Sequence, residues 1–155
     1  MKLEKRDYQI LEMLQQDCRL PNAELAQKAG MSPSSCWRRI RALEQSGIIT
    51  RYGAIVDPAG MGYGFHAIVH VQLTRHNPDR ISDFIAAVRA CPEVQECYAT
   101  TGQSDYHLRV LCADMAAYNR FLDEFLFRQP GVQSVQTNVV LQEIKSNGIL
   151  GAPGS

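Results

Sequence analysis

Three arginines occur within four positions of the chain, and two serines and a tryptophan precede them: Arg38, Arg39, Arg41, Ser34, Ser35 and Trp37. Guanidinium groups bind phosphates or read guanine through two hydrogen bonds, and hydroxyls bond to phosphates or base edges. This set of side chains suits a nucleic acid, although a run of charges that is merely solvated is the plain alternative. Because residues three apart share one helix face, we expect Arg38 and Arg41 to act together, with Arg39 turned to the phosphate backbone or a neighbouring helix. Trp37 is left open between a DNA contact and a partly buried anchor against the first helix.

These side chains are predicted to lie on a short helix whose two ends are both marked. Ser32 can cap the first turn, and Pro33 fits the first helical position. Gly47 follows the last turn, where a left-handed residue is favoured. Between these positions apolar side chains recur at helical spacing: Cys36, Ile40 and Leu43. The basic and hydroxyl side chains therefore occupy the open side of this helix.

Two amphipathic segments precede it. Residues 4–16 form a predicted first helix, and residues 22–29 form a second, which ends at Gly30. Their inward side chains are Ile10, Leu11, Leu14, Leu25 and Ala26. Two short helices joined by a glycine-containing turn are typical of a helix-turn-helix, whose second helix enters the major groove. In this context DNA binding is favoured over a solvated basic face.

The second group of candidate residues surrounds the segment TGQSDY. Gly102 would let a ligand approach the backbone closely, and the Asp105 carboxylate could pair with an α-ammonium group. The hydroxyls of Thr100 and Thr101, with nearby backbone N–H groups, could bind an α-carboxylate. The alternative is a plain β-turn in which Asp105 bonds its own backbone. Weaker candidates for the wall of such a pocket are Tyr98, Gln136 and Asn138.

The second half of the chain alternates between strands and helices. Strands are predicted at residues 65–74, 94–101, 106–112 and 132–143. One predicted helix starts at Asn77-Pro78, ends before Cys91-Pro92, and has an inward stripe of Ile81, Phe84, Ile85 and Val88. Another is capped by Asp114, with an inward stripe of Met115, Tyr118, Leu122 and Phe125. The order is βαββαβ, which is ferredoxin-like, with helices on one face of the sheet. The other face is expected to expose Ala, Val, Ile or Leu, which predicts self-association.

The predicted fold class is therefore α+β, with a helix-turn-helix domain of three helices and a short hairpin or wing at residues 1–56. Arg51 in that wing is a weaker phosphate candidate. The glycine-rich residues 57–64 are the predicted hinge. The ferredoxin-like domain is predicted to span residues 65–145, followed by a loosely ordered tail at residues 146–155.

Composition narrows the class of protein. The formal net charge is zero, with 9 Lys and Arg against 7 Asp and Glu in residues 1–64, so the local arginine cluster says more than the total. The five cysteines are an odd number and include no CxxC pair, which indicates reduced thiols. Neither a signal peptide nor an apolar run of membrane-spanning length is visible. A soluble cytoplasmic protein without a membrane partner is the expectation.

The sequence favours no metal or catalytic site. His66 and His70 are four residues apart on a strand, roughly 13 Å along it, which is too far to share a metal. His76 and His107 have no Cys or His at ligand spacing. Cys91 and Cys97 could form a redox switch, but buried thiols are favoured. With no catalytic fingerprint present, we expect neither an enzyme nor a cofactor.

With both halves placed, the sequence closely resembles the Lrp/AsnC family of transcription regulators. In the first half the matching segments are NAELAQKAGMSPSSCWRRIRALEQSGII and VDP. In the second half they are TGQSDYHLRV, DMAAYNRFL and PGVQSVQTNVVLQEIK. A helix-turn-helix alone is shared by many regulators, whereas its pairing with this βαββαβ unit and its TGxxDY loop is specific.

The resemblance implies a winged helix-turn-helix joined by a hinge to an effector-sensing domain called RAM. It implies a homodimer, commonly assembled into octamers, that binds promoter DNA in the nucleoid and responds to an amino acid or related small molecule. The effector pocket would lie near the loop of residues 102–105 at a subunit interface. Two alternatives stay open: an architectural DNA-binding protein with no effector, and a small amino-acid-binding module or enzyme.

Overall fold

The computed structural model describes residues 2–74 and 78–154 and divides the chain into two compact units. The N-terminal unit comprises Met1–Ile55 together with Ile144–Ser155, and the sheet unit comprises Val56–Glu143. The structure thus assigns the predicted hinge to the sheet unit, where the Asp57 carboxylate accepts hydrogen bonds from the N–H groups of Ala59 and Gly60. The functional division into domain, hinge and tail stays a prediction.

Three helices form the N-terminal unit: α1 (Lys5–Gln16), α2 (Asn22–Lys28) and α3 (Pro33–Gln45). The Ser32 hydroxyl caps α3 by accepting from the N–H of Ser35 at 3.3 Å, as predicted. Gly30 and Gly47 adopt the left-handed conformation at φ 63° and 73°, which ends α2 and α3 without a Cβ clash. Six buried residues make the core between the helices: Ile10, Leu25, Ala26, Ala29, Cys36 and Leu43.

The predicted hairpin is wrong for this chain, because residues 48–56 contain no strand. The N–H groups of Ile48 and Ile49 both bond to the Leu43 carbonyl and close the end of α3. The following residues are exposed, Ile55 to 70%. Apolar β-branched residues form a hairpin only when a second strand and a packed face are available, since an isolated pair of strands is marginal in water.

The C-terminal segment contacts α1. The Gln15 amide donates to the Leu150 carbonyl at 3.0 Å and accepts from the Leu150 N–H at 2.9 Å. These two bonds hold Leu150 in place, within residues 140–154, which form no helix or strand. Leu141, Ile144 and Leu150 are nevertheless at least 78% exposed.

The sheet unit confirms the predicted βαββαβ order. Its strands are β1 (Phe65–Leu73), β2 (Val94–Ala99), β3 (Tyr106–Cys112) and β4 (Val132–Val139). Its helices are α4 (Pro78–Ala90) and α5 (Met115–Arg120), and α5 continues as one π turn over Phe121–Phe125 and one 3-10 turn over Leu126–Arg128. The strand order is β2-β3-β1-β4, and every pairing is antiparallel. The predicted helix start at Asn77, and His76, for which no metal-ligand companion was predicted, lie outside the described residues.

Strict alternation along β1 separates the two faces of the sheet. Phe65, Ala67, Val69, Val71 and Leu73 are buried against the helices. The main helix residues that meet them are Phe84, Val88, Tyr118, Phe121 and Leu126. This side forms the core of the unit.

The opposite side, here called the open face, corrects the prediction of an exposed apolar surface. Its residues follow from the register across the four strands: His66, Ile68, His70, Gln72, Glu96, Tyr98, His107, Arg109, Leu111, Ser134, Gln136 and Asn138. Because β1 alternates apolar with polar side chains, almost all its large aliphatic residues face the helices. The open face is therefore mostly polar, and the prediction of self-association no longer has an apolar sheet face to support it.

The inward stripe after Asp114 also differs from the prediction. Asp114 caps α5 through a 2.7 Å bond from the Ala117 N–H, as expected. A π turn adds about one residue per turn, which shifts the phase of every side chain after it. The buried residues are consequently Tyr118, Phe121 and Leu126, whereas Met115 is 53% exposed and the other predicted members, Leu122 and Phe125, are only partly buried.

Candidate DNA-binding and effector sites

The exposed side of α3 carries a tryptophan next to an arginine. Trp37 is 56% exposed, and the guanidinium carbon of Arg41 lies 5.3 Å from the centroid of its ring. This exposure favours the prediction of a DNA contact over the alternative of an anchor against α1. The flat indole supports the guanidinium by a cation–π contact and limits its rotation. Arg38 is exposed on the same helix.

A short chain of contacts ties Arg41 to the end of α3 and to the segment after it. Arg41 Nη1 lies 3.3 Å from Glu44 Oε2, and the Tyr52 hydroxyl donates to Glu44 Oε1 at 2.9 Å. Burial, reinforced by the Glu44 carboxylate, raises the pKa of Tyr52 to about 12. Glu44 thus orients Arg41 and partly neutralises it. Neither Glu44 nor Tyr52 was among the predicted site residues, because a Glu three positions after an Arg is common on solvated helices.

Arg39 points away from this surface, as its position between Arg38 and Arg41 predicted. Its guanidinium bonds to Asp7 Oδ1 at 2.8 Å and to Glu4 Oε2 at 2.6 Å, both at the start of α1. Asp7 is only 4% exposed, and its other oxygen accepts from the Glu4 N–H at 2.8 Å. The geometry therefore makes Arg39 a tie between α3 and α1 instead of the DNA contact first assigned to it.

The remaining predicted DNA contacts lie near the start of α3 and on the segment that follows it. Ser34 is exposed and its hydroxyl lies 3.2 Å from that of Ser32, while Ser35 is partly buried. The free N–H groups of a helix start attract phosphate, so both serines lie where an anion is favoured. Arg51 is exposed on the extended segment after α3.

Asp105 holds its loop onto β1. Its Oδ2 accepts from the Leu73 N–H at 2.8 Å, and its own N–H donates to the Val71 carbonyl at 3.0 Å. The carboxylate fills the backbone irregularity between Gln72 and Leu73, where β1 changes register against β4. This oxygen is therefore bonded to the backbone of β1, a role that neither expectation for Asp105 included.

The rest of the loop is open to solvent. Thr100 donates from its N–H to the Asp105 carbonyl at 2.9 Å and from its hydroxyl to the Ser104 carbonyl at 3.2 Å. Thr101 and Gly102 are exposed, and Gly102 has φ 120°, a conformation that other residues rarely adopt. The exposed tip of the loop therefore presents backbone groups and the exposed side chain of Thr101 to a ligand.

The three weaker pocket candidates are spread across the open face. Tyr98 is on edge strand β2, where its hydroxyl donates to Glu96 at 2.8 Å. Gln136 and Asn138 are on the opposite edge strand, β4. A separation of three strand spacings is roughly 14 Å, so Tyr98 and Gln136 do not line one small pocket within a chain.

Among residues 2–74 and 78–154, no group of three or more His, Cys, Asp or Glu could hold a metal ion. The structure nevertheless corrects the prediction that His107 has no histidine nearby. His107 does have a histidine neighbour, His70, which faces it from the adjacent strand. The sequence spacing concealed this contact because the residues are far apart along the chain.

Three of the five thiols are buried, whereas Cys18 and Cys97 are exposed, and all five are free. Burial, with the nearby Glu93 carboxylate, raises the pKa of Cys91 to about 11. Although Cys97 is exposed by its accessible surface, partial desolvation by the surrounding protein raises the pKa of its thiol. Raised pKa values oppose thiolate formation, so Cys91 and Cys97 are poorly suited to a redox switch.

Comparison with known proteins decides the family. Residues 3–50 match a winged helix-turn-helix DNA-binding domain, and residues 66–150 match the Lrp/AsnC ligand binding domain. The chain belongs to the Lrp/AsnC family. It is 39% identical to the leucine-responsive regulatory protein of Salmonella typhimurium, over 96% of this chain and 90% of that protein. It is 38% identical to the leucine-responsive regulatory protein of Escherichia coli K12, again over 96% of this chain and 90% of that protein.

Solved structures agree with this assignment to the Lrp/AsnC family. The transcriptional regulator NMB0573 of Neisseria meningitidis, solved as a complex with L-Met, is 40% identical, covers 96% of both chains and superposes with a TM-score of 0.92. AsnC of E. coli is 29% identical, over 94% of this chain and 97% of that one, with a TM-score of 0.86. As an Lrp/AsnC protein, this chain is a DNA-binding transcription regulator and not an enzyme. No helix in the described part of the chain has the length and apolar character needed to cross a membrane.

Proposed function

We propose that this regulator binds double-stranded promoter DNA through the exposed side of α3. The observation that carries the proposal is the placement of Arg38, Arg41 and Trp37 together on the solvent side of a capped helix, while Arg39 is held by α1. Arg38 and Arg41 bind base edges or phosphates in the major groove. Ser34, Ser35 and Arg51 add phosphate contacts at the margins. The site of action is the nucleoid in the cytoplasm.

The proposed effector is an amino acid, and methionine is the first candidate because the 40%-identical Neisseria regulator was solved with L-Met. The exposed loop tip at Thr101 and Gly102 supports this assignment, with backbone groups that can meet a carboxylate or an ammonium group. In this proposal Asp105 anchors the loop to β1 and leaves direct binding of the ligand to the tip. Tyr98, Gln136 and Asn138 contribute only where a second copy completes the pocket, because they lie on opposite edges of one sheet.

The active form is proposed to be a homodimer, further assembled to an octamer as the family resemblance implies. Paired copies of α3 would read two half-sites, which multiplies the weak contacts that one short helix can make. An effector alters DNA binding only if its affinity differs between the DNA-competent state and the alternative state.

A mobility-shift assay on the DNA upstream of the regulator's own gene tests this function. We expect a specific shift that changes on addition of methionine or another amino acid from a panel. A Thr101→Val variant should weaken the amino-acid response while leaving binding without effector intact. Thr74→Val serves as its control, because the Thr74 hydroxyl is bonded to the Gly131 carbonyl and does not lie on the loop tip. A specific shift that no amino acid alters would instead support an architectural DNA-binding protein of the same fold. Absence of any specific shift would contradict the proposed regulatory site.

A further inference from the structure

Arg41 lies between two partners on the exposed side of α3. One turn before it is Trp37, whose ring centroid is 5.3 Å from the guanidinium carbon. Almost one turn after it is Glu44, whose Oε2 lies 3.3 Å from Nη1 of Arg41. Residues three and four positions apart on a helix are neighbours on its surface, so the helix itself places both partners beside Arg41. The guanidinium is therefore positioned before any DNA is present.

The ion pair between Arg41 and Glu44 is weak, and its geometry shows why. A carboxylate can bind a guanidinium through both of its oxygens, which is the stronger arrangement. Here Glu44 gives only Oε2 to Arg41, because its Oε1 accepts from the Tyr52 hydroxyl at 2.9 Å. The Arg41 side chain is 58% exposed and that of Glu44 is 30% exposed, so water screens the pair. A stronger acceptor can therefore displace Glu44 from Arg41, while Tyr52 keeps the Glu44 carboxylate bonded.

Double-stranded DNA offers Arg41 two kinds of acceptor. Phosphate oxygens occur on every sequence, and an arginine that binds them raises affinity without regard to sequence. The N7 and O6 atoms of guanine together accept two hydrogen bonds from one guanidinium, and only some sequences present them at the right position. An arginine paired with a carboxylate must leave that carboxylate before it binds either acceptor. Since two bonds to guanine gain more than one contact with a phosphate, the pair suppresses phosphate contacts more than contacts with a correctly placed guanine.

We propose that Glu44 is a specificity-determining residue, which keeps Arg41 from binding phosphates on unrelated DNA and releases it where a guanine offers two acceptors. Tyr52 is a positioning residue, because it occupies one oxygen of Glu44 and so keeps the ion pair weak enough to be released. Trp37 supports the guanidinium in both states. The inference rests on the proposed function, in which α3 reads DNA through Arg41, and it adds the group that limits binding to other sequences.

The test compares two duplexes of equal length by fluorescence anisotropy at several salt concentrations: the DNA upstream of the regulator's own gene and a random-sequence duplex. Glu44→Gln keeps the size of the side chain and an oxygen that can accept from Tyr52, but removes the charge that neutralises Arg41. This variant should bind the random duplex several-fold more tightly, and its salt slope there should rise by about one per protomer bound. Binding to the upstream DNA should change less, so the ratio of the two affinities should fall.

Two further variants separate this role from a structural one. Glu124→Gln, at an exposed carboxylate on the π turn after α5, makes the same change in net charge and should leave the ratio unchanged. On the random duplex, Arg41→Ala should leave the salt slope unchanged in the original protein but lower it by about one in the Glu44→Gln background. An equal effect in both backgrounds would overturn the inference, even where Arg41→Ala weakens binding to the upstream DNA. No effect of Arg41→Ala on either duplex in either background would instead contradict the proposed function itself.

Tyr52→Phe tests the positioning role through a different step. Loss of the hydroxyl leaves both oxygens of Glu44 available to Arg41, which strengthens the ion pair. The variant should therefore bind the upstream DNA more weakly, because Arg41 is released less readily, and should bind the random duplex like the original. Equal weakening on both duplexes, or tighter binding to the upstream DNA, would overturn the role given to Tyr52.

Discussion

The three arginines of α3 differ in the residues that their side chains contact. All three have the same side chain within four positions, yet Arg39 is taken up by Glu4 and Asp7, while Arg41 rests against Trp37. Helical spacing was sufficient to predict that Arg39 would turn away from its neighbours. It could not reveal the partners, because Glu4 and Asp7 are more than 30 positions away along the chain.

Asp7 gives a prediction at this scale. Its carboxylate is buried and bonded to both Arg39 and the Glu4 backbone, so Asp7→Asn should lower the free energy of unfolding by about 2 kcal/mol. Urea unfolding of the whole chain measures the change. The control is Asp17→Asn, whose partner Arg19 is 87% exposed and whose loss should cost far less, because water screens an exposed ion pair. Equal losses in the two variants would contradict a tie between α1 and α3.

The helices and strands were predictable where a local pattern determined them. Ser32, Gly47 and Asp114 mark helix ends by their own chemistry, and β1 shows its two faces by alternation. Prediction failed where non-local geometry decided the outcome. The π turn after α5 has no signature in the sequence, and the segment after α3 lacks the partner strand that its residue types suggested.

The π turn makes a prediction about two leucines. Leu126 is fully buried after the shift in phase, whereas Leu122, which the regular spacing had favoured, is only partly buried. Leu126→Ala should therefore destabilise the chain by about 2–5 kcal/mol, and Leu122→Ala by clearly less. Thermal or urea unfolding of both variants measures the difference. The reverse order would show that the uninterrupted helical phase is the correct one.

His66 on β1 links stability to pH. Its Nε2 is buried without a hydrogen-bond partner, and burial, together with the Arg109 charge, lowers its pKa, although Glu96 and Glu143 oppose this. The unfolded chain therefore takes up the proton first, so stability is intact above pH 6.5 and falls as the pH drops below it. His66→Gln should lose less stability than the original between pH 7.5 and pH 5.5 in urea unfolding. An identical loss in both proteins would contradict this role.

The chain consists of two compact units, each with its own core. The first half matches a DNA-binding domain and the second matches a ligand-binding domain. This arrangement was predictable, because the helix-turn-helix spacing and the βαββαβ order lie in consecutive stretches of sequence. The effector site was less predictable, since its candidate residues occur on a loop tip and on both edges of a sheet. Within one chain Tyr98 and Gln136 lie on opposite edges of the sheet, so sequence spacing does not show whether they share a pocket.

The central claim is that the exposed side of α3 reads DNA through Arg38 and Arg41. The most direct measurement is fluorescence anisotropy with the upstream DNA at several salt concentrations, for Arg38→Ala, Arg41→Ala and Arg89→Ala, the last an exposed arginine of α4. Each α3 variant should weaken binding, and loss of a phosphate contact should reduce the salt slope by about one per protomer bound. Arg89→Ala should behave like the original. Unchanged affinity and salt slope in both α3 variants would contradict the claim.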